Sequence, residues 1–179
     1  MPREVLLGRL GVAVAVVCAT AVTITAVAIA MPSVRASLGF APAPAVPSYA
    51  AGQSVDFPAS LFNQAPHTLA IFFRSDCGAC ARMKPFFARL AARDDVAAVR
   101  VVAVTSDRNR ADALTFVKQI GLGQSSLVTM DLTNLRLRRV PTVVLMDRSG
   151  AIQAAVEGIP SSQDEETLLR LVTTLSQVR

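Results

Sequence analysis

The pattern of apolar and polar positions divides the chain into three parts. Residues 10–31 carry no charged side chain, and residues 32–51 alternate proline and alanine with little polar periodicity. Residues 52–179 alternate short apolar runs with amphipathic segments. An uncharged stretch of about 22 residues is long enough to cross a hydrocarbon core of about 30 Å as a helix. The pattern predicts an N-terminal membrane anchor over 1–31, a linker over 32–51 and one domain over 52–179.

Four short apolar runs of this domain predict strands, and the first two are typical of buried strands. They are Thr68–Phe73, Val99–Asp107, Thr142–Met146 and Ala151–Val156. The turn sequence Asp147–Gly150 joins the last two runs and predicts that they form an antiparallel hairpin.

Three amphipathic segments predict helices between and after these strands. The first begins at Cys77, and Pro85 inside its apolar periodicity predicts a kink. The second is capped by Asp107 and stopped by Gly121. The third opens at Ser162–Glu165 with a capping-box pattern. Strands that alternate with helices predict an α/β fold, in which a central sheet, parallel in its first part, is covered on both faces.

The flanks of the apolar segment orient the predicted anchor. Arg3, Arg9 and the α-amino group precede it, whereas Arg35 alone follows closely. The positive-inside bias therefore keeps the N-terminus in the cytoplasm and places the domain on the extracytoplasmic, periplasmic side. A cleaved signal peptide is the alternative, because Ala28–Ala30 has a small-x-small pattern, but secretory apolar regions usually run only about 7–15 residues. Cys18, in the middle of the segment, is interpreted as an inert thiol.

The charge balance does not favour a nucleic-acid partner. The chain carries 18 Lys and Arg against 13 Asp and Glu, which gives a net charge of +5. Its one tight basic cluster consists of Arg136, Arg138 and Arg139, with no aromatic residue between them. A mildly basic surface is the better interpretation, and we expect no nucleic-acid partner.

The motif with chemical potential is Cys77-Gly78-Ala79-Cys80. Cys77 stands where a strand ends and a helix begins, so unpaired N–H groups and the helix dipole stabilise its thiolate. Cys80, one turn later, is within disulfide reach and less exposed, which suggests an attacking and a resolving thiol. Gly78 and Ala79 leave the attacking sulfur uncovered. Redox exchange is the favoured chemistry, and it needs no cofactor because the two sulfurs carry the electrons.

Other uses of the two cysteines remain open. A closed zinc site needs four ligands, and the domain offers these cysteines and a single histidine, His67. Cu(I) binding would suit the soft sulfur ligands. A purely structural disulfide is compatible with export, although a bridge between residues three apart closes too small a loop to stabilise much. Peroxide reduction would want a threonine and an arginine around the attacking thiol, and Ser75 stands in place of the threonine.

Three stretches of the domain together resemble one known family. They are FFRSDCGACARMKPFF (72–87), RRVPTVVLMDRSG (138–150) and EG (157–158). Pro85 lies five residues after the second cysteine, and Val140-Pro141-Thr142 precedes an apolar strand, as in the thioredoxin superfamily. The chain is most similar to the membrane-anchored, exported TlpA/ResA-type members. The resemblance implies a thioredoxin-like fold with a central mixed sheet flanked by helices.

The resemblance also implies a thiol-disulfide oxidoreductase. Cys77 would be the nucleophile, and Cys80 would resolve the mixed disulfide. Val140 and Pro141, joined by a cis peptide bond, and the Gly78–Ala79 pair would bind the substrate. Similar anchored proteins mostly reduce particular cysteines in exported partners such as apocytochromes or copper-site proteins. They take electrons from a membrane thiol donor.

Three positions depart from the family pattern. Asp76 replaces the usual aromatic residue before the first cysteine, Ile71 stands where thioredoxin has a buried carboxylate, and Met83 stands where ResA-type proteins have a glutamate. Neither acid that would move a proton for the resolving thiol is therefore in place. The charge of Asp76 raises the pKa of the attacking thiol, whereas Arg74 and Arg82 could neutralise that charge.

Overall fold

A computed structural model of the chain describes residues 48–93 and 98–177. The predicted anchor over 1–31 and residues 32–47 of the predicted linker lie outside these ranges. Within the described ranges, no helix has both the length and the apolar character that crossing a membrane requires.

The described part of the chain contains five strands, four α-helices and two short 3-10 helices, Ala59–Leu61 and Gln124–Ser126. The strands are β1 (His67–Phe72), β2 (Val99–Thr105), β3 (Leu127–Thr129), β4 (Thr142–Asp147) and β5 (Ile152–Glu157). The helices are α1 (Gly78–Arg82), α2 (Lys84–Ala91), α3 (Arg110–Gln119) and α4 (Ser162–Gln177). The sheet order is β3-β2-β1-β4-β5, with β1, β2 and β3 parallel and β4 antiparallel to both β1 and β5. The predicted mixed sheet and the terminal hairpin are confirmed.

The register of the central strands brings three loops to one edge of the sheet. Phe72, at the end of β1, pairs with Val104 near the end of β2 and with Thr142 at the start of β4. The chain that leaves β1, the chain that leaves β2 and the chain that enters β4 therefore meet at this edge. Both cysteines follow β1, so the edge is where the candidate site must form.

Among the described residues, the α-helices lie on one face of the sheet. Side chains from all four helices pack on the face that carries Leu69 and Ile71. The opposite face, which carries Ala70 and Phe72, is covered by residues between Tyr49 and Phe62 and by the loop before β4. Right-handed crossovers that advance in one direction, from β1 to β2 to β3, place their helices on the same face. Both faces are covered, as expected, but segments without an α-helix cover the second.

Pro85 has the predicted effect on the helix that follows the cysteines. The helix is broken at Met83, so that α1 ends at Arg82 and α2 begins at Lys84. Pro85 lies in the first turn of α2, where its missing N–H leaves no intrahelical bond unmade. The break is the predicted kink.

The start of α3 differs from the prediction, whereas its end agrees. Asn109, and not Asp107, is the N-cap, and its side chain accepts the N–H of Ala111 at 3.1 Å. Asp107 instead accepts the backbone N–H of Ser75, in the loop after β1. Gly121 follows the helix with a φ of +84°, a conformation that glycine adopts without steric cost.

Two further details were not predicted correctly. The three-residue strand β3 was missed, because so short a run carries no clear period. The capping box of α4 is formed by Ser161 and Asp164, whose hydroxyl and carboxylate oxygens lie 2.7 Å apart, one residue earlier than the predicted start at Ser162.

The folded domain takes in residues that the sequence pattern assigns to the linker. Tyr49 is 1% exposed and packs edge-on against Phe57, with 5.3 Å between ring centroids. Its hydroxyl donates to Asp56 at 2.8 Å, and the guanidinium of Arg136 lies 5.3 Å from the ring centroid. We call residues 48–57 the N-terminal strap, because they bind the second face of the sheet to the loop before β4.

Candidate active site

Cys77 and Cys80 lie at the sheet edge where β1 ends. Cys77 is the N-cap of α1 in an extended conformation, and its sulfur accepts the N–H of Cys80 at 3.3 Å. Both side chains are free thiols. An N-cap position points the sulfur at backbone donors that have no partner inside the helix, which is the local reason for its reactivity.

Hydrogen bonds lower the pKa of the Cys77 thiol. Partial burial acts against this and raises the pKa, as does the charge of Asp76 to a smaller extent. The Cys80 thiol and the backbone N–H groups of Cys80 and Ala79 stabilise the thiolate, and the net shift is downward. Cys77 is therefore the thiol that is ionised more readily.

The second thiol has the opposite character. Burial, helped by the hydrogen bond to Cys77, raises the pKa of Cys80 to about 12, and a backbone hydrogen bond with Arg74 only partly offsets this. The side chain of Cys80 is fully buried, whereas Cys77 is half-buried. The pair thus consists of one accessible thiol that ionises readily and one protected thiol.

The loop before β4 faces the cysteines, as predicted. The Val140–Pro141 peptide bond is cis, which agrees with the expectation from the sequence. The carbonyl oxygen of Val140 lies 3.8 Å from the sulfur of Cys77, within the range of a thiol hydrogen bond. The carbonyl oxygen of Pro141 accepts the N–H of Gly158 at 2.7 Å. The structure therefore brings together the chain segments at Cys77, Val140–Pro141 and Gly158.

The two residues between the cysteines leave the attacking sulfur open. Gly78 is exposed, and a Cβ built on it would have no neighbour within 4 Å. Ala79 is half-buried and adds only a methyl group. An incoming polypeptide therefore meets little steric obstruction at this position.

Arg74 neutralises the negative charge beside the nucleophile. Its guanidinium forms two hydrogen bonds with the carboxylate of Asp76, at 3.0 and 2.7 Å. Hydrogen bonding to Asp76 raises the pKa of Arg74 further, and the Asp107 and Cys77 charges act in the same direction. Of the two arginines expected to offset Asp76, it is Arg74 that forms the ion pair.

We expect the Arg74–Asp76 pair to set the pH profile of Cys77. Asp76→Asn removes a negative charge and should move the profile of alkylation of Cys77 to lower pH, whereas Arg74→Ala should move it to higher pH. Each change in rate near pH 6 should be about fivefold, because a close pair of charges in water is worth about 1 kcal/mol. The measurement is iodoacetamide labelling of Cys77 as a function of pH. Profiles that do not change in either variant would contradict this assignment.

Sequence reasoning missed Asp107 as a residue of this edge. Its carboxylate accepts the backbone N–H of Ser75 at 2.7 Å, across 32 positions of the chain. The available signal was its place directly after a strand parallel to β1, since the carboxyl ends of neighbouring parallel strands lie together. Asp107 was interpreted as a helix cap instead, so this signal was not used.

Other candidate residues do not join the site. His67 begins β1, at the opposite end of the strand from the cysteines. Ile71 and Met83 are buried in the apolar core, so the two positions that carry an acid in related proteins are filled by hydrocarbon and thioether packing. Among the described residues, no three His, Cys, Asp or Glu side chains are grouped so as to hold a metal ion.

The chain resembles known proteins in sequence pattern and in fold. Residues 60–173 match the family model described as a thioredoxin-like domain. No protein of curated function shows significant similarity to the chain. A thiol:disulfide interchange protein from Bacteroides sp. has a TM-score of 0.53 and 15% identity, over 71% of this chain and 93% of that one.

Two further solved structures give the same picture. The thioredoxin domain of a thiol-disulfide oxidoreductase from Bacteroides vulgatus has a TM-score of 0.52 and 17% identity, over 69% of this chain and 99% of that one. A secreted disulfide oxidoreductase of Mycobacterium tuberculosis, homologous to E. coli DsbE, has a TM-score of 0.50 and 18% identity, over 65% and 85%. At these identities the structures establish a shared fold. Because the family model spans most of the chain, the protein belongs to the thioredoxin-like domain family.

Proposed function

We propose that the protein is a thiol-disulfide oxidoreductase that acts through Cys77 and Cys80. The observation that carries the proposal is the asymmetry of the pair. The half-buried sulfur of Cys77, whose thiol has a lowered pKa, lies 3.3 Å from the backbone nitrogen of Cys80. The thiol of Cys80 is fully buried, and its pKa is raised. Such a pair is suited to attack followed by resolution.

The reaction proceeds in two exchanges. The Cys77 thiolate attacks one sulfur of a partner disulfide, the partner S–S bond breaks, and the departing partner thiolate takes up a proton. Cys80 then loses its proton and attacks the sulfur of Cys77, which releases the second partner thiolate. Two electrons and two protons pass to the partner, and the Cys77–Cys80 disulfide remains. A second dithiol must then reduce that disulfide before another turnover.

Backbone groups around the nucleophile bind the substrate in this proposal. The segment Val140–Pro141 lies against Cys77, next to the start of β4, and offers backbone groups to an incoming strand. The Gly78–Ala79 pair leaves room above the sulfur. Recognition through backbone groups constrains the shape of the partner more than its side chains.

The domain works outside the cytoplasm, tethered to the membrane by the N-terminal segment. Support comes from the uncharged stretch over 10–31 and from the excess of arginine before it. The partners are cysteine-containing exported proteins, whose disulfides the domain reduces, and a membrane thiol donor supplies the electrons. No nucleic acid and no cofactor take part.

The reduction potential of the cysteine pair tests the function and its direction. The protein is equilibrated with glutathione and dithiothreitol buffers, with Cys77→Ser as the control that cannot form the disulfide. A value near about −270 mV makes the pair an electron donor to partner disulfides, whereas a value near about −120 mV makes it an oxidant. If no intramolecular disulfide forms, the oxidoreductase proposal fails. Copper binding by the same sulfurs is then tested by competition with a Cu(I) chelator.

A further inference from the structure

Asp107 joins the end of β2 to the loop that carries the nucleophile. Its carboxylate oxygen accepts the N–H of Ser75 at 2.7 Å, a short hydrogen bond to a charged acceptor. Its own N–H donates to the hydroxyl of Thr105 at 3.1 Å. The side chain is half-buried and is thus held by the last residue of β2 while it reaches across to the neighbouring loop.

Ser75 lies inside a turn that touches both thiols. The N–H of Cys77 donates to the carbonyl oxygen of Arg74 at 3.2 Å, which closes the turn and sets the entry of Cys77 into its N-cap position. The backbone of Arg74 also lies close enough to the Cys80 thiol to lower its pKa. A contact that fixes Ser75 therefore fixes the turn that leads into the cysteine pair.

We propose that Asp107 is a positioning residue for the reaction: its hydrogen bond to Ser75 holds the Arg74–Cys77 turn so that the sulfur of Cys77 faces the backbone donors of α1. The inference rests on the proposed function, to which it adds a residue. Asp107 does not touch the reacting sulfurs in this role. It acts through the backbone of the turn.

The charges around Asp107 determine in which direction the loss of its carboxylate would move the pH midpoint of Cys77 alkylation. Asp107 lines a groove of about 430 Å³ beside the turn, together with Arg74, Asp76, Arg108 and Asp112. Removing a negative charge from this groove should by itself favour the Cys77 thiolate. The positive charge of Arg74, no longer offset by Asp107, would stabilise the thiolate further. Loss of the turn geometry should act in the opposite direction, because the sulfur would lose its backbone donors. A rise in the alkylation midpoint can therefore come only from lost positioning.

Alkylation of Cys77 in the full-length chain tests the inference. Labelling by iodoacetamide is followed from pH 5 to 10 and quantified on the Cys77 peptide by mass spectrometry. Asp107→Ala should raise the pH midpoint and slow labelling at pH 7 about tenfold, the scale of a lost hydrogen bond to a charged group. Asp107→Asn retains an acceptor for the Ser75 N–H and should not raise the midpoint.

Two controls separate positioning from charge and from misfolding. Asp112→Ala removes a carboxylate from the same groove without touching the turn, and its midpoint should not rise. If circular dichroism shows that Asp107→Ala is unfolded, Asp107→Glu replaces it, because that variant keeps the charge but displaces the carboxylate by one methylene. It should then raise the midpoint.

The outcomes divide cleanly. An unchanged or lowered midpoint in Asp107→Ala, or in the Glu variant where that is used, overturns the inference, as does an equal rise in Asp112→Ala. The labelling needs no partner protein. Absence of disulfide exchange in the unaltered chain would therefore contradict the proposed function and leave the labelling result readable.

Discussion

Replacing Cys80 by serine should stop turnover and leave a covalent complex between Cys77 and the partner. The first exchange needs only the accessible thiol, whereas release of the partner needs the buried one. Since the members of a catalytic unit fail together, turnover should fall by on the order of 10³-fold or more. Reaction with a disulfide-bonded peptide, followed by intact-mass measurement, should show one peptide half attached to the chain.

The matched control for this result is Cys77→Ser. Cys80 is fully buried, and burial raises the pKa of its thiol to about 12, so this variant should neither turn over nor retain the peptide. The trapped adduct of Cys80→Ser should be released by dithiothreitol. An adduct that forms equally well in both variants would show that the two thiols do not have the distinct roles assigned to them.

The pattern of the sequence predicted four of the five strands of the described sheet. β1, β2 and β4 are apolar runs long enough to predict buried strands, and the turn sequence at 147–150 identifies β5 as the second strand of a hairpin. β3 has three residues, and its pairing with β2 is set by tertiary context. The local sequence pattern therefore predicted the longer strands, including the edge strand β5, and missed the short edge strand β3.

The same limit applies to the candidate site, where residues in short motifs were predicted and contacts between distant residues were not. Cys77 and the cis bond at Val140–Pro141 were expected because short motifs carry them. The contact between Asp107 and Ser75 was not, since it joins residues 32 positions apart and Asp107 also fits a helix cap. The ambiguity between Arg74 and Arg82 as the partner of Asp76 was settled only by geometry. Contacts between loops depend on the register of the sheet, and no single stretch of sequence contains that register.

The N-terminal strap escaped prediction for another reason. Pro and Ala around Tyr49 read as an extended linker, because neither helical nor strand periodicity is present. The strap is fixed by aromatic packing on the face of the sheet that the α-helices leave uncovered. Backbone hydrogen bonds to the hairpin also hold it, from the N–H of Gly52 to Ile152 at 2.8 Å and from the N–H of Val55 to Gly150 at 2.9 Å. Tyr49 and Phe57 supply the apolar surface that a helix would supply elsewhere, and Phe72 of β1 lies beneath them with its ring centroid 5.0 Å from that of Phe57.

Tyr49→Ala should therefore destabilise the domain strongly, by about 3–5 kcal/mol in the free energy of unfolding, the usual range for removing a buried aromatic ring. Tyr49→Phe is the matched variant, because it keeps the ring against Phe57 and loses only the hydrogen bond to Asp56. It should cost about 1 kcal/mol. Urea unfolding of residues 47–179, followed by circular dichroism, measures both changes.

Docking of the strap can also be measured through the ionisation of Tyr49. Tyr49 is the only tyrosine, and the chain contains no tryptophan, so absorbance near 295 nm reports this side chain alone. Burial, with the hydrogen bond to Asp56 and its charge, raises the pKa of Tyr49 above the ordinary value of about 10. Tyrosinate absorbance should accordingly develop at higher pH in the folded chain than in urea. If Tyr49 titrates normally and Tyr49→Ala costs less than about 1 kcal/mol, the strap does not belong to the domain. The ring contact of Arg136 would then not hold the loop before β4.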